Sequence, residues 1–256
     1  MRKLNNTCLD IRVAVFRLML LVLCLAVGTG TDASGMVDVT AVATSTSAAD
    51  AVELADSVSA GSLDSAAWTD VDLGTVDRNV FELALHAAGV AVQRGDVHDP
   101  STLTVIDFSE ASPNERMWVY DLRSRRLLFQ EVVSHGRGSG VSLATSFSNV
   151  SESNQSSLGL YRTAETYVGK HGYSLRLAGL DKGFNDNARA RAIVMHAADY
   201  VNPAAAQANG YLGRSLGCPA IRPAISRQLI DTVKEGSLLF AYYPDEAWLA
   251  GSDYLP

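Results

Sequence analysis

Cysteine is scarce in this 256-residue sequence, which contains only Cys8, Cys24 and Cys218. Cys8 and Cys24 fall in an N-terminal stretch that reads as a removable leader. The mature chain then keeps one thiol, which excludes an internal disulfide framework. Positive charge is also short, with 21 Lys and Arg against 28 Asp and Glu and a formal charge of −7. Losing Arg2, Lys3, Arg12, Arg17 and Asp10 with the leader takes that charge from −7 to about −10. So acidic a chain, with no block of basic residues, lacks the footprint of a nucleic-acid binder. No His-Glu-x-x-His or paired Cys-x-x-Cys is present, so no metal site is expected, and there is no lysine-bearing phosphate loop. The longest apolar run falls short of the about 20 residues a membrane-spanning helix needs. No internal repeat is found.

Four basic residues precede LMLLVLCLAV (18–27), and Ala26-Val27-Gly28 places small residues where a signal peptidase reads. Residues 1–28 are therefore expected to be a secretory signal peptide, and the protein to be exported to the periplasm or cell envelope. Membrane contact is expected only through this segment, if it stays uncleaved. Leu23 is too bulky before Cys24 for a lipoprotein signal. Residues 29–75, rich in Ala, Ser, Thr, Val and Asp without a sustained period, read as a low-complexity linker with a short helix near 48–58. A single catalytic-sized domain, 76–256, follows. Overall 47% apolar and 19% charged residues supply a sizeable core.

Within that domain Val80, Leu83, Ala84, Ala87 and Ala88 recur at helical spacing, with Asp77 as N-cap and Gly95 as stop. His86 on this helix reads as structural or exposed. After Asp99-Pro100 the pattern turns to strands: 101–108, 116–122, 125–136, 158–169, 173–180, 191–197 and 237–243. A helix opens at Pro223 and runs to Lys234, closed by Gly236. The fold class expected is mainly β, a sandwich or barrel with a few peripheral helices and function on its loops.

The stretch 191–221 holds the chemistry-bearing residues. Cys218 lies in the tight Ser215-Leu216-Gly217-Cys218-Pro219 turn, where Gly217 permits a sharp bend and Pro219 fixes the exit. It reads either as a nucleophile or as a buried inert thiol, or else as half of an intermolecular disulfide. His196 ends an apolar run, as a base aimed from a rigid strand or as a ring satisfied by a backbone carbonyl. Backbone amides of the Ser215, Leu216, Gly217 turn suit an oxyanion hole, and Arg214 and Arg222 bracket it as charge stabilisers. His135 opens HGRGSG (135–140), read as a loop lining a polar cleft. The hydroxyl- and amide-rich 146–161 reads as an exposed loop or as a surface for an amide- and sugar-rich substrate.

The ordered set IDFS (106–109), MWVYDL (117–122), VVSHGRGSG (132–140), SFSN (146–149), SSLGLY (156–161), YVGKHGY (167–173), LRLAGL (175–180), RAIVMHAADYV (191–201) and GRSLGCPA (213–220) resembles the murein L,D-transpeptidase catalytic domain family, second YkuD-type group. The resemblance covers about residues 76–243. It implies a YkuD-like fold and an exported enzyme acting on peptidoglycan stem peptides without a cofactor. Cys218 would be the nucleophile and His196 the base. Ser215 with the Leu216–Cys218 backbone would shape the turn and oxyanion hole, and Ser157, Leu158 and Gly159 would line the substrate. Two positions depart from the wider superfamily: Leu216 replaces a frequent histidine, and Ala220 an arginine two residues past the cysteine. Arg222 or Arg214 is expected to fill in for that arginine.

Four readings fit these residues. The first is a transpeptidase that attacks the third stem residue, releases D-alanine and passes the acyl group to an amine. An L,D-carboxypeptidase would use water instead. A secreted cysteine peptidase and a non-catalytic wall-binding module are the remaining readings.

Overall fold

The computed structural model describes residues 62–256. The expected leader (1–28) and the linker up to residue 61, with its helix near 48–58, lie outside the described residues. The last part of the expected linker, 62–75, belongs instead to the domain. Trp68 is fully buried, donates its indole N–H to the Ser62 carbonyl at 2.8 Å, and meets Phe81 and Tyr120 edge-on at 5.0 and 5.8 Å. Tyr120 donates its hydroxyl to the Leu73 carbonyl at 2.7 Å, fastening the same segment again. The surrounding Ala/Ser/Thr composition hides these two anchors.

Helix α1 (Arg78–Gln93) starts where the Asp77 carboxylate accepts the amides of Asn79 and Val80. Its buried face is Val80, Phe81, Ala84, Leu85, Ala87, Ala88 and Ala91. So many alanines on one stripe let the helix axis approach the sheet closely, while His86 faces solvent.

Eight strands follow: β1 (Thr102–Asp107), β2 (Met117–Asp121), β3 (Arg126–Glu131), β4 (Gly159–Gly169), β5 (Gly172–Gly179), β6 (Val194–Ala197), β7 (Ala220–Ile221) and β8 (Leu238–Tyr242). They form one curled sheet in the order β3-β2-β1-β8-β4-β5-β6-β7. The mainly β expectation is thus met as a half-barrel with four small helices. Pairs β1–β8 and β6–β7 are parallel and the others antiparallel. Every residue of β1 is buried, as a central strand covered on both faces must be. Helix α1 packs on β1 and β8, and α3 (Pro223–Val233) on β1, β5 and β6.

Three differences from the sequence reading bear on function. Strand β3 stops at Glu131 rather than continuing to 136, because the chain changes partners there. Ser134 N–H donates to Ala220 and Ser215 N–H to His135, so 132–136 runs beside the segment carrying Cys218. Strand β6 begins at Val194, since Ala192 takes a left-handed φ of 55° that no ladder accommodates. Helices α2 (Pro203–Asn209) and α4 (Glu246–Gly251) and the two-residue β7 are additional. Asn202 caps α2 with Pro203 in its first turn, a signal visible in the sequence but masked by the Ala-rich run.

Candidate active site

The Ser215–Pro219 turn is held from inside and outside. Gly217 has φ of 126°, open only to glycine, and a Cβ there would stand 2.8 Å from the Gln155 carbonyl oxygen. Ser215 Oγ accepts the Gly217 amide at 3.0 Å and donates to the Cys218 carbonyl at 2.7 Å. Arg137 N–H donates to the Ser215 carbonyl, and Ser156 Oγ accepts from Gly136 N–H while donating to the Gly217 carbonyl. With the Gly217 amide committed to Ser215, the backbone donors left in the turn are the Leu216 and Cys218 amides. Neither donates to an acceptor among the described residues. Leu216 exposes its side chain at the cavity rim, in keeping with a backbone role at that position.

Cys218 is half-buried. Its sulfur accepts the Val194 amide at 3.5 Å and faces the Ala192 carbonyl at 3.8 Å. Burial pushes the thiol pKa up, opposed by the Val194 hydrogen bond and by the charges of Arg191 and Lys170. At neutral pH the resting group is therefore a thiol, and attack requires a base.

His196 is 2% exposed and lies in β6, register partner of Ala220 in β7, two residues beyond Cys218. Its Nδ1 is 2.8 Å from the Ala197 carbonyl. A carbonyl only accepts, so Nδ1 carries the proton and Nε2 keeps a bare lone pair. Burial pushes the imidazolium pKa down; the Ala197 bond opposes this, and His171 and Lys170 push with it. The His171 ring stacks on His196 at 4.3 Å, with planes 26° apart. A neutral imidazole with a free nitrogen is the form a general base needs. Cys218 and His196 line one cavity of about 320 Å³, although no hydrogen bond joins them in this resting arrangement.

Lys170, Arg191 and Arg214 also line this cavity, and no carboxylate does among the described residues. In a chain of net charge −7 that makes the cavity a cationic island, suited to a ligand bearing carboxylates. Among the described residues no group of three or more His, Cys, Asp or Glu could hold a metal ion.

Several expected site residues lie elsewhere. His135 is fully buried rather than facing a cleft. Its Nδ1 accepts from Arg116 at 2.8 Å, and its Nε2 faces the Gly140 carbonyl at 3.4 Å. Burial and then Arg116 push its pKa down to about 4, so it is a neutral strut under the 136–140 loop. Arg222 forms a two-pronged pair with Glu131 and lines a separate groove with Trp118, away from Cys218. Arg214 reaches the cavity, but its Nη1 donates to the Gly140 carbonyl at 2.9 Å. Ser157, Leu158 and Gly159 are buried and do not line the cavity. Ser157 Oγ donates to the Ser148 carbonyl, and Gly159, at φ of 108°, backs onto Asp181 and Asn185.

Lys170, His171, Tyr200 and Arg191, which the sequence motifs contained without assigning them a site role, are all on the cavity wall. Lys170 and His171 are the two-residue turn of the β4–β5 hairpin, between the paired Gly169 and Gly172. The Gly-Lys-His-Gly motif was a hairpin signal in its own right. Gly136 is the other concealed requirement. A Cβ there would stand 2.4 Å from the Asn154 carbonyl oxygen and 2.9 Å from Gly217 Cα. Gly136→Ala is expected to displace the Cys218 turn and lower activity by about 100-fold or more, as misplacement by about 1 Å does. The check is kcat/KM set beside the melting temperature: a folded protein with full activity would show the close packing to be unimportant.

Residues 73–242 match the family of the L,D-transpeptidase catalytic domain. A search of the curated proteins finds no match. Solved structures similar to the chain include an L,D-transpeptidase from Mycobacterium smegmatis, 14% identical, TM-score 0.35, covering 56% of this chain and 59% of that one. L,D-transpeptidase 3 from Mycobacterium tuberculosis is 14% identical, TM-score 0.34, covering 56% and 62%. An L,D-transpeptidase from Stackebrandtia nassauensis is 13% identical, TM-score 0.32, covering 74% of this chain and 91% of that one. The chain spans 59% of the length of the Mycobacterium smegmatis protein. These structural likenesses are low, and family membership rests on the match over about two thirds of the chain. The chain belongs to the L,D-transpeptidase catalytic domain family.

Proposed function

We propose that the protein is an exported enzyme that transfers the acyl group of peptidoglycan tetrapeptide stems through a thioester on Cys218. The observation that carries this reading is one cavity lined by a half-buried thiol and by a neutral histidine with a free Nε2. In the first half-reaction His196 Nε2 takes the thiol proton as sulfur attacks the carbonyl of the third, L-configured centre. Negative charge on the carbonyl oxygen is met by the Leu216 and Cys218 amides. The C–N bond to D-alanine breaks, and the proton on His196 goes to the departing amine. In the second half-reaction an amine on a neighbouring stem gives its proton to His196 and attacks the thioester, forming the 3–3 amide and freeing the sulfur. Water in place of the amine gives D-alanine release alone.

The cationic cavity favours a carboxylate-bearing donor over an ordinary uncharged peptide segment, which supports the stem-peptide reading over a general cysteine peptidase. Export fits the leader read at 1–28 and the location of this substrate. The test is incubation of the purified protein with a defined disaccharide tetrapeptide, with products read by mass spectrometry. Loss of D-alanine with formation of dimers is the expected result, tripeptide alone marks water as acceptor, and unchanged tetrapeptide beside cleaved casein would contradict the proposal.

A further inference from the structure

A thiol destined to carry negative charge, and then to support an oxyanion, needs a fixed positive charge beside it. Ala220, two residues past the cysteine, is fully buried among apolar neighbours. Arg222 is neutralised by Glu131 outside the cavity, and Arg214 is tethered to Gly140. Lys170 sits on the exposed tip of a hairpin.

Arg191 differs from all of these. Its Nη1 donates to the Ser148 carbonyl at 2.7 Å and to Ser157 Oγ at 2.5 Å, and its Nη2 to the Gln155 carbonyl at 2.7 Å and Ser153 Oγ at 3.2 Å. Every one of those acceptors is uncharged, and among the described residues Arg191 has no acidic partner within ion-pair reach. The guanidinium is thus held rigidly while its charge stays unneutralised. It also stands against the nucleophile turn: Nη2 lies 3.4 Å from where a Cβ on Gly217 would be. Together with Cys218 it lines the cavity.

We propose that Arg191 is the positioning residue of the site, supplying the electrostatic stabilisation of Cys218 that the residues after the cysteine do not. Its four hydrogen bonds bind the Ser-rich 148–157 loop beneath the turn, and its net charge acts on the sulfur. Holding the fork with neutral acceptors is what makes both roles compatible, since a carboxylate partner would cancel the field. The inference rests on Cys218 being the nucleophile.

The experiment compares wild type, Arg191→Gln and Arg191→Lys by the pH dependence of iodoacetamide alkylation of Cys218, alongside melting temperature. Arg191→Gln is expected to move the alkylation midpoint up by about one pH unit, slowing alkylation at neutral pH about tenfold. Arg191→Lys keeps the charge and is expected to keep the midpoint within a few tenths of wild type, although it loses hydrogen bonds and melts earlier. A folded Arg191→Gln protein with the wild-type midpoint would overturn the proposal and leave Arg191 as a loop staple. Should Arg191→Gln not fold, Arg191→Lys decides, and a midpoint raised by a full unit there would also overturn it. D-alanine release measured on Cys218→Ala separates this from the parent reading. Activity retained by that variant removes the nucleophile itself, whereas activity lost there with an unmoved Arg191→Gln midpoint removes Arg191 alone.

Discussion

Cys218→Ala is expected to lower turnover of tetrapeptide donors by at least about 10⁴-fold, and by as much as about 10⁶-fold, the range seen when a covalent nucleophile is removed from an otherwise intact site. No other thiol exists in the domain to replace it. The fold has little stake in the sulfur. Its hydrogen bonds are a long one from Val194 and a longer one to Ala192, and the turn is held by Ser215, Ser156 and Arg137 instead. The cost in stability should be near about 1 kcal/mol, a melting shift of about 2–4 °C in a domain of this size. Activity falling by orders of magnitude beside so small a shift separates chemistry from unfolding. D-alanine release kinetics and a thermal melt on the same sample supply both numbers.

His196→Gln is expected to lower kcat/KM by about 10²–10⁴-fold, the usual worth of a general base. It should also change the shape of the pH profile. On the proposed mechanism the base His196 must be neutral, and burial holds its imidazolium pKa below the ordinary histidine range, so the acid limb of kcat/KM is expected below that range. The proton that His196 hands to the departing amine comes from the thiol, and burial holds the thiol pKa above the ordinary cysteine range, so on the proposed mechanism the alkaline limb, where that proton is lost, lies above it. Wild type should therefore show a broad plateau across neutral pH. In His196→Gln the acid limb should vanish with the group that causes it, and activity should rise with pH as free thiolate accumulates. An unchanged acid limb in the variant would assign that limb to another group.

The parts of the protein visible in the sequence are those whose causes are local. Asp77 before a three-and-four apolar rhythm marks α1 because a cap and an amphipathic stripe are both short-range features. Alternating β-branched and aromatic residues marked β1, β2, β4, β5 and β8 for the same reason. Cys218 and His196 stood out because a glycine-bounded thiol and a strand-end histidine are legible residue by residue. The remainder depends on contacts made across the fold. Arg191 takes its meaning from acceptors 34 to 43 positions away. His135 looked like a loop residue beside glycines, but the fully buried Arg116 brought by β2 turns it inward. Arg222 looked close to Cys218 in sequence, yet β7 carries it past the site to Glu131. Residues 62–75 looked like linker because Trp68 and Leu73 hold them to distant Phe81 and Tyr120.

Acyl transfer through Cys218 requires a covalent intermediate on its sulfur. The most direct test is acid quench of the protein during turnover of a disaccharide tetrapeptide, followed by intact mass and peptide mapping. An adduct equal to the donor less D-alanine, on the peptide containing Cys218 and absent from Cys218→Ala, is the predicted result. Turnover with no adduct, or an adduct on another residue, would contradict it.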